Sequence, residues 1–221
     1  MIRLAALQEV LNLGGPVIAV LFAISVLTLG VIFYKIWQFS ASGVGRHRRL
    51  SQALAAWDMG DQATARARLT ESESYLAPLL GSAMDEPSVP GLEGRLDAEA
   101  GLAIARLERG FRFLDTVAQL APLLGLFGTV LGMIDAFQSL QEAGSTVDPS
   151  LLAGGIWVAL LTTAAGLAVA MPTSMVLAWF ESRVATERAF ADKALQTVLV
   201  PVRANGPTAP EPQTRGAYRH A

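Results

Sequence analysis

The chain has 221 residues, 52% of them hydrophobic and 16% charged, and its mean hydropathy is positive. That balance lies on the membrane side of the soluble average, and a formal net charge of −2 offers no basic field for nucleic acid. Absence of cysteine excludes disulfides, thiolate metal sites and cysteine nucleophiles.

Residues 1–15 read as a short external lead, weakly helical and interrupted by Gly14-Gly15-Pro16. The first span is expected over 16–37, since Val10–Tyr34 carries no Asp, Glu, Lys or Arg and about 20 apolar residues suffice to cross a bilayer. A signal peptide fits less well. The run exceeds the usual h-region of about 7–15 residues, and the preceding MIRLAALQE balances one Arg with one Glu. Tyr34-Lys35-Ile36-Trp37 reads as an interfacial anchor. Lys35, Arg46, Arg48 and Arg49 follow closely, and this basic excess assigns that end to the cytoplasm and the N-terminus to the outside.

Residues 38–115 read as a cytoplasmic helical domain. Leu50, Leu54 and Trp57 recur at helical spacing. Gly60 breaks that helix and Asp61 can cap the next, whose apolar face is Ala63, Ala67 and Leu69. Tyr75, Leu79, Leu80 and Met84 suggest a further short helix, and Pro87-Ser88-Val89-Pro90-Gly91 a loop. From Leu92 the stripe Leu96, Ala100, Ala103, Leu107, Phe111, Leu114 is helical. It predicts one unbroken rod running into the second span. Arg106, Arg109 and Arg112 mark the cytoplasmic entry. The charges of this domain read as a solvated helical face, with no metal cluster, phosphate loop or catalytic triad. His47, in the basic cluster, and His220 read as surface residues, and no cofactor is expected.

The second span is expected over 116–138, an external loop over 139–151, the third span over 152–180, a cytoplasmic helix over 181–200 and a disordered Pro-rich tail over 201–221. The fold class is therefore all-α, with three transmembrane helices and long helices extending into a helical cytoplasmic domain. The loop carries Glu142 and Asp148 but no Lys or Arg, in keeping with an outside position.

Small and hydroxylated residues mark the second and third spans. Gly125, Gly128 and Gly132 recur in the second around Thr129. In the third, Gly155, Ala159, Thr163, Gly166 and Ala170 share a face, with Thr162 beside it. A helix facing only lipid needs neither glycine nor threonine at its centre. Such stripes close a tight helix pair or line a narrow polar path, and periodicity alone does not choose. Each threonine can also bond its own helix backbone. Asp135, near the outer end of the second span, is a candidate proton-path residue, because an acid at membrane depth is costly, or else an interfacial one. Asp115 reads as a residue of the cytoplasmic boundary. Pro122 and Pro172 lie within the two spans, each removing a backbone hydrogen bond.

ERGFRFLDTVAQLAPLLGLFGTVLGMIDAF (Glu108–Phe137), followed by GGIWVALLTTAAGLAVAMP (Gly154–Pro172), strongly resembles the MotA/TolQ/ExbB proton-channel family, its ExbB branch most of all. The resemblance implies a subunit of an inner-membrane motor that forms homopentamers. The second and third spans would line a pore holding a dimer of an ExbD-like or TolR-like single-span partner. That partner would supply the proton-binding aspartate, and the energy would pass to a TonB-like or TolA-like protein. The family's threonines map by motif onto Thr129 and Thr163. Where ExbB and TolQ commonly carry a glutamate before the ALL-x-T-A run, Val158 stands here. Either a partner aspartate and the threonines suffice, or another acid such as Asp135 contributes. A TolQ-like envelope role and a non-conducting scaffold are the alternatives. A MotA-like stator is weakened by the count of three spans.

Overall fold

The computed structural model describes residues 2–72, 74–85, 90–142 and 149–201, and among these the fold is all α-helical. Seven helices follow in order: α1 (Ile2–Ala41), α2 (Arg48–Asp58), α3 (Gln62–Thr70), α4 (Ala77–Asp85), α5 (Leu92–Glu108), α6 (Phe111–Glu142) and α7 (Pro149–Leu199). The Pro-rich tail with His220, residues 86–89 of the Pro-containing loop and the loop positions 143–148 lie outside the described residues. Among the described residues three stretches are long and apolar enough to cross a membrane: Gly15–Ala41, Leu92–Glu142 and Leu152–Leu199. The chain is a membrane protein with three such helices.

Two compact units are formed. Among the described residues, the first comprises those within 1–44 and 104–187, the second those within 45–103 and from 188 to 201. Within the first, α1 is broken at Gly15, whose φ of 62° and ψ of −165° suit a residue without Cβ, and Pro16 starts the segment that follows. α1 packs against α6. Val17 and Leu21 of α1, Val117 and Ala121 of α6 and Ala170 of α7 form a buried cluster. At the other end of α1, Phe39 meets Phe180 edge-on at 5.2 Å between centroids, and Phe180 stacks on Phe111 at 5.8 Å. These rings close the three-helix packing at one end.

The expected rod through the second span is interrupted. α5 stops at Glu108 and α6 starts at Phe111, with Gly110 at φ +89° between them. A left-handed glycine after the last turn is a common helix stop. The apolar stripe crosses the break unchanged, since Leu107, Phe111 and Leu114 are all buried, which is why periodicity concealed it. The free carbonyls at the end of α5 are met by α1. Lys35 donates from Nζ to the Leu107 carbonyl at 2.9 Å and to Gln38 Oε1 at 2.8 Å, and Gln38 reaches the Arg106 carbonyl at 3.4 Å. Lys35 is therefore only 1% exposed, with its ammonium 5.5 Å from the Phe111 ring centre. Tyr34 and Trp37 are exposed, whereas the anchor reading is corrected for Lys35, whose side chain is turned into the protein.

In the second unit, α2 buries Leu50, Leu54 and Trp57. Trp57 donates from Nε1 to the Val198 carbonyl of α7 at 3.1 Å. Gly60 (φ 83°) separates α2 from α3, and Asp61 caps α3 by accepting from the Thr64 amide at 3.1 Å. The buried face of α3 is Ala65 and Leu69, whereas Ala63 and Ala67 are exposed. The spacing Ala65–Leu69 is i, i+4, and a run so rich in alanine offers two such faces. His47 is half-buried rather than a surface residue, stacked on Phe190 at 4.1 Å.

Candidate functional site

The candidate site is the seam between α6 and α7. On α6, Leu114, Val117, Ala121, Gly125, Gly128 and Ala136 are buried at helical spacing. On α7, Ala159, Thr162 and Ala170 are buried, as is Gly166. Contacts run from Ala121 against Gly166, through Gly125 against Thr162 and Thr163, to Ala136 against Gly155. As one index rises the other falls, so the helices are antiparallel. The fifteen residue steps from Ala121 to Ala136 of α6 correspond to about 22 Å of close contact.

The glycines permit this approach. A Cβ on Gly125 would lie 2.8 Å from the Thr162 carbonyl oxygen and 3.0 Å from the Thr163 Cα. One on Gly128 would lie 2.6 Å from Thr162 Oγ1, and one on Gly166 2.5 Å from the Ala121 oxygen. Gly132 has slightly more room, 3.2 Å to the Ala159 Cβ, while Gly155 faces the Ala136 Cβ at very short range. Small residues let two membrane helices gain dispersion contact where lipid provides no hydrophobic drive. By contrast, Gly30 and Gly154 have open space where a Cβ would go.

The hydroxyls differ in what they do. Thr162 is 2% exposed, and its Oγ1 lies 2.7 Å from the Ala159 carbonyl and 3.1 Å from the Gly125 carbonyl of α6. Thr163 is half-buried and reaches the same Gly125 carbonyl at 3.3 Å. Thr129 turns its hydroxyl to the Leu126 carbonyl of its own helix at 2.6 Å. The structure thus brings Thr162 and Thr163 together at Gly125, and directs Thr129 elsewhere. Asp135 is exposed, and its backbone carbonyl accepts from Ser139 Oγ at 2.9 Å. Val158 is half-buried one turn before Thr162. Pro122 and Pro172 are accommodated inside α6 and α7.

Among the described residues no group of three or more His, Asp or Glu could hold a metal ion. Among the buried charged residues, Lys35 was legible only as part of an anchor, and Glu187 was not singled out in the sequence. A lysine so near the end of an apolar run was a signal for the first. For Glu187 the signal was its place on an apolar stripe, between Phe180 and Val184 before it and Ala191 and Ala194 after it, all of them buried.

An all-α membrane protein with a tight antiparallel helix pair, glycine-lined and carrying hydroxyls, defines the class. The profile described as the MotA/TolQ/ExbB proton channel family matches residues 57–192, and the chain belongs to that family. It is 35% identical over 166 residues to biopolymer transport protein ExbB-like 1 of Synechocystis sp., covering 72% of this chain and 64% of that protein. It is 29% identical over 191 residues to biopolymer transport protein ExbB of Salmonella typhimurium, covering 81% and 78%. A shorter match of 90 residues at 38% identity links it to the Tol-Pal system protein TolQ of Haemophilus influenzae, covering 41% and 39%. The chain therefore spans less than two thirds of the length of the Synechocystis and Haemophilus proteins.

Proposed function

We propose that this chain is the multi-span, proton-conducting subunit of an ExbB-type motor in the bacterial inner membrane, assembled as a homopentamer around a single-span partner. The partner, ExbD-like or TolR-like, carries the carboxylate that binds and releases the proton. The complex energises a TonB-like protein for outer-membrane transport. The observation that carries this reading is the pair of threonine hydroxyls held on the α6–α7 seam within otherwise apolar spans. One charge crossing 100 mV gains about 2.3 kcal/mol. Harvesting it requires a carboxylate neutralised on one side and released on the other. α6 and α7 supply the wall, with hydroxyls at membrane depth, and the partner supplies the acid.

Thr129, Thr162, Thr163 and Asp135 are the proposed path residues, and Gly125, Gly128, Gly132, Gly155 and Gly166 the packing residues. Reconstituted with its single-span partner in vesicles bearing a pH gradient, the chain should conduct protons, and Thr163→Val should reduce the flux about a hundredfold or more, the range for losing one positioned proton-handling group. Thr129→Val should have the smaller effect, because its hydroxyl bonds its own helix. Undiminished flux in both variants would remove the pore-lining assignment.

A second reading, a scaffold that assembles the partner without conducting, is favoured by Val158 standing where the family commonly has an acid. A correctly assembled complex without flux supports it. A TolQ-like role in envelope maintenance is distinguished by which partner, TolR-like or ExbD-like, co-purifies.

A further inference from the structure

We infer that Thr162 is a positioning residue for Thr163: the two hydroxyls exchange at one acceptor, the Gly125 carbonyl, so that Thr163 can turn to a carboxylate on a neighbouring chain while α6 and α7 stay joined. This rests on the pore-lining reading above.

A threonine hydroxyl has one proton to donate. Thr162 Oγ1 stands 2.7 Å from the Ala159 oxygen and 3.1 Å from the Gly125 oxygen, with Thr163 Oγ1 3.3 Å from the latter. In one arrangement Thr162 donates within its own helix and Thr163 donates to Gly125. In the other, Thr162 donates to Gly125 and the Thr163 hydroxyl is released. The change is a rotation about the Thr162 Cβ–Oγ bond. Neither oxygen moves and neither hydroxyl loses its proton.

Three observations favour the exchange. Thr28, Thr129, Thr173 and Ser174 all bond their own helix backbone, at 2.6 to 3.0 Å. Thr163 departs from that pattern, crossing to another helix over a distance beyond the usual O–H···O range. Its bond is thus weak enough to leave. Thr162, in contrast, is locked. The absent Cβ of Gly128 would lie 2.6 Å from its Oγ1 and 3.0 Å from its Cγ2, and water has no access to a side chain 2% exposed. Finally, an unmet polar group in hydrocarbon is costly. A lone Thr163 would have to abandon the interhelical bond in order to act, and Thr162 keeps that bond in place when it does.

The test compares Thr162→Val, which keeps the shape and removes the hydroxyl, with Thr162→Ser, which does the reverse. Two readouts are taken in bilayers: water exchange of the Thr163 hydroxyl proton, by NMR of threonine-labelled chain, and proton flux with the partner present. Thr162→Val should slow the exchange and lower the flux about fivefold, as for one hydrogen bond, while Thr162→Ser matches wild type in both. A packing role gives the opposite order, Val normal and Ser impaired, and overturns the inference. So do two silent variants. Should Thr162→Val not assemble, Thr162→Ala is read in the same way. Failure of the channel reading alone gives no flux in wild type, with the Val and Ser difference in hydroxyl exchange still present.

Discussion

Two single residues do more than their positions suggest. Lys35 ends α5: its ammonium satisfies the Leu107 carbonyl and its stem lies against Gly110, whose absent Cβ would sit 3.5 Å from the Lys35 Cε. Lys35→Met preserves the stem and leaves the carbonyl unmet. It should cost about 1.5–3 kcal/mol, the worth of a hydrogen bond to a charged group, seen as a lowered midpoint in thermal unfolding of the detergent-solubilised protein. A midpoint equal to wild type would show that the stem alone matters. Asp61 works in the opposite setting, fully exposed. Hydrogen bonding to Thr64, by side chain first and backbone second, holds its carboxyl below the usual carboxylate range. A lowered folded value means stabilisation that is present above the ordinary carboxylate range and lost as pH falls through the lowered one. The α3 amides near Thr64 should therefore exchange faster with solvent, after correction for intrinsic rates, as the pH is taken down through that window. Asp61→Ala should remove this pH dependence.

At the scale of elements, the α6–α7 pair stands on close backbone approach. Gly128→Ala and Gly166→Ala introduce a Cβ against Thr162 Oγ1 and against the Ala121 carbonyl, the latter a backbone atom that cannot turn aside. Each should destabilise by about 1–3 kcal/mol, the usual cost of overpacking, with Gly166→Ala the worse. Gly30→Ala and Gly154→Ala, where nothing lies within 4 Å, should be neutral or slightly stabilising, since alanine favours helix over glycine. Thermal unfolding of the four variants compares them directly, and equal midpoints would remove the seam as the source of stability. The glycine spacing was legible in the sequence. The difference between Gly128 and Gly154 was not, because both are small residues in apolar runs and only the partner helix distinguishes them.

For the whole molecule, the consequence to test is orientation. The proposed topology puts the second unit in the cytoplasm and the α6–α7 connection outside. Because the natural chain has no cysteine, it is its own background for single-cysteine labelling. Ala63→Cys, on the exposed face of α3, should resist a membrane-impermeant maleimide in intact spheroplasts and react after permeabilisation. Glu142→Cys, at the end of α6, should react in intact spheroplasts. The reverse pattern would invert the assignment.

Sequence by itself determined the all-α class, the three membrane helices and the family, because each rests on local composition, hydropathy or a contiguous motif. The seam glycines and both threonines of the LLTTAAG run were also legible. Tertiary structure decided which hydroxyl does what. Thr162 and Thr163 are adjacent and chemically identical, about 100° apart around one helix, and only the position of α6 makes one buried and leaves the other half-exposed. It likewise decided the break at Gly110. An apolar stripe carries through a helix stop without losing phase, and the carbonyls freed there found their donor in Lys35, some seventy residues away along the chain.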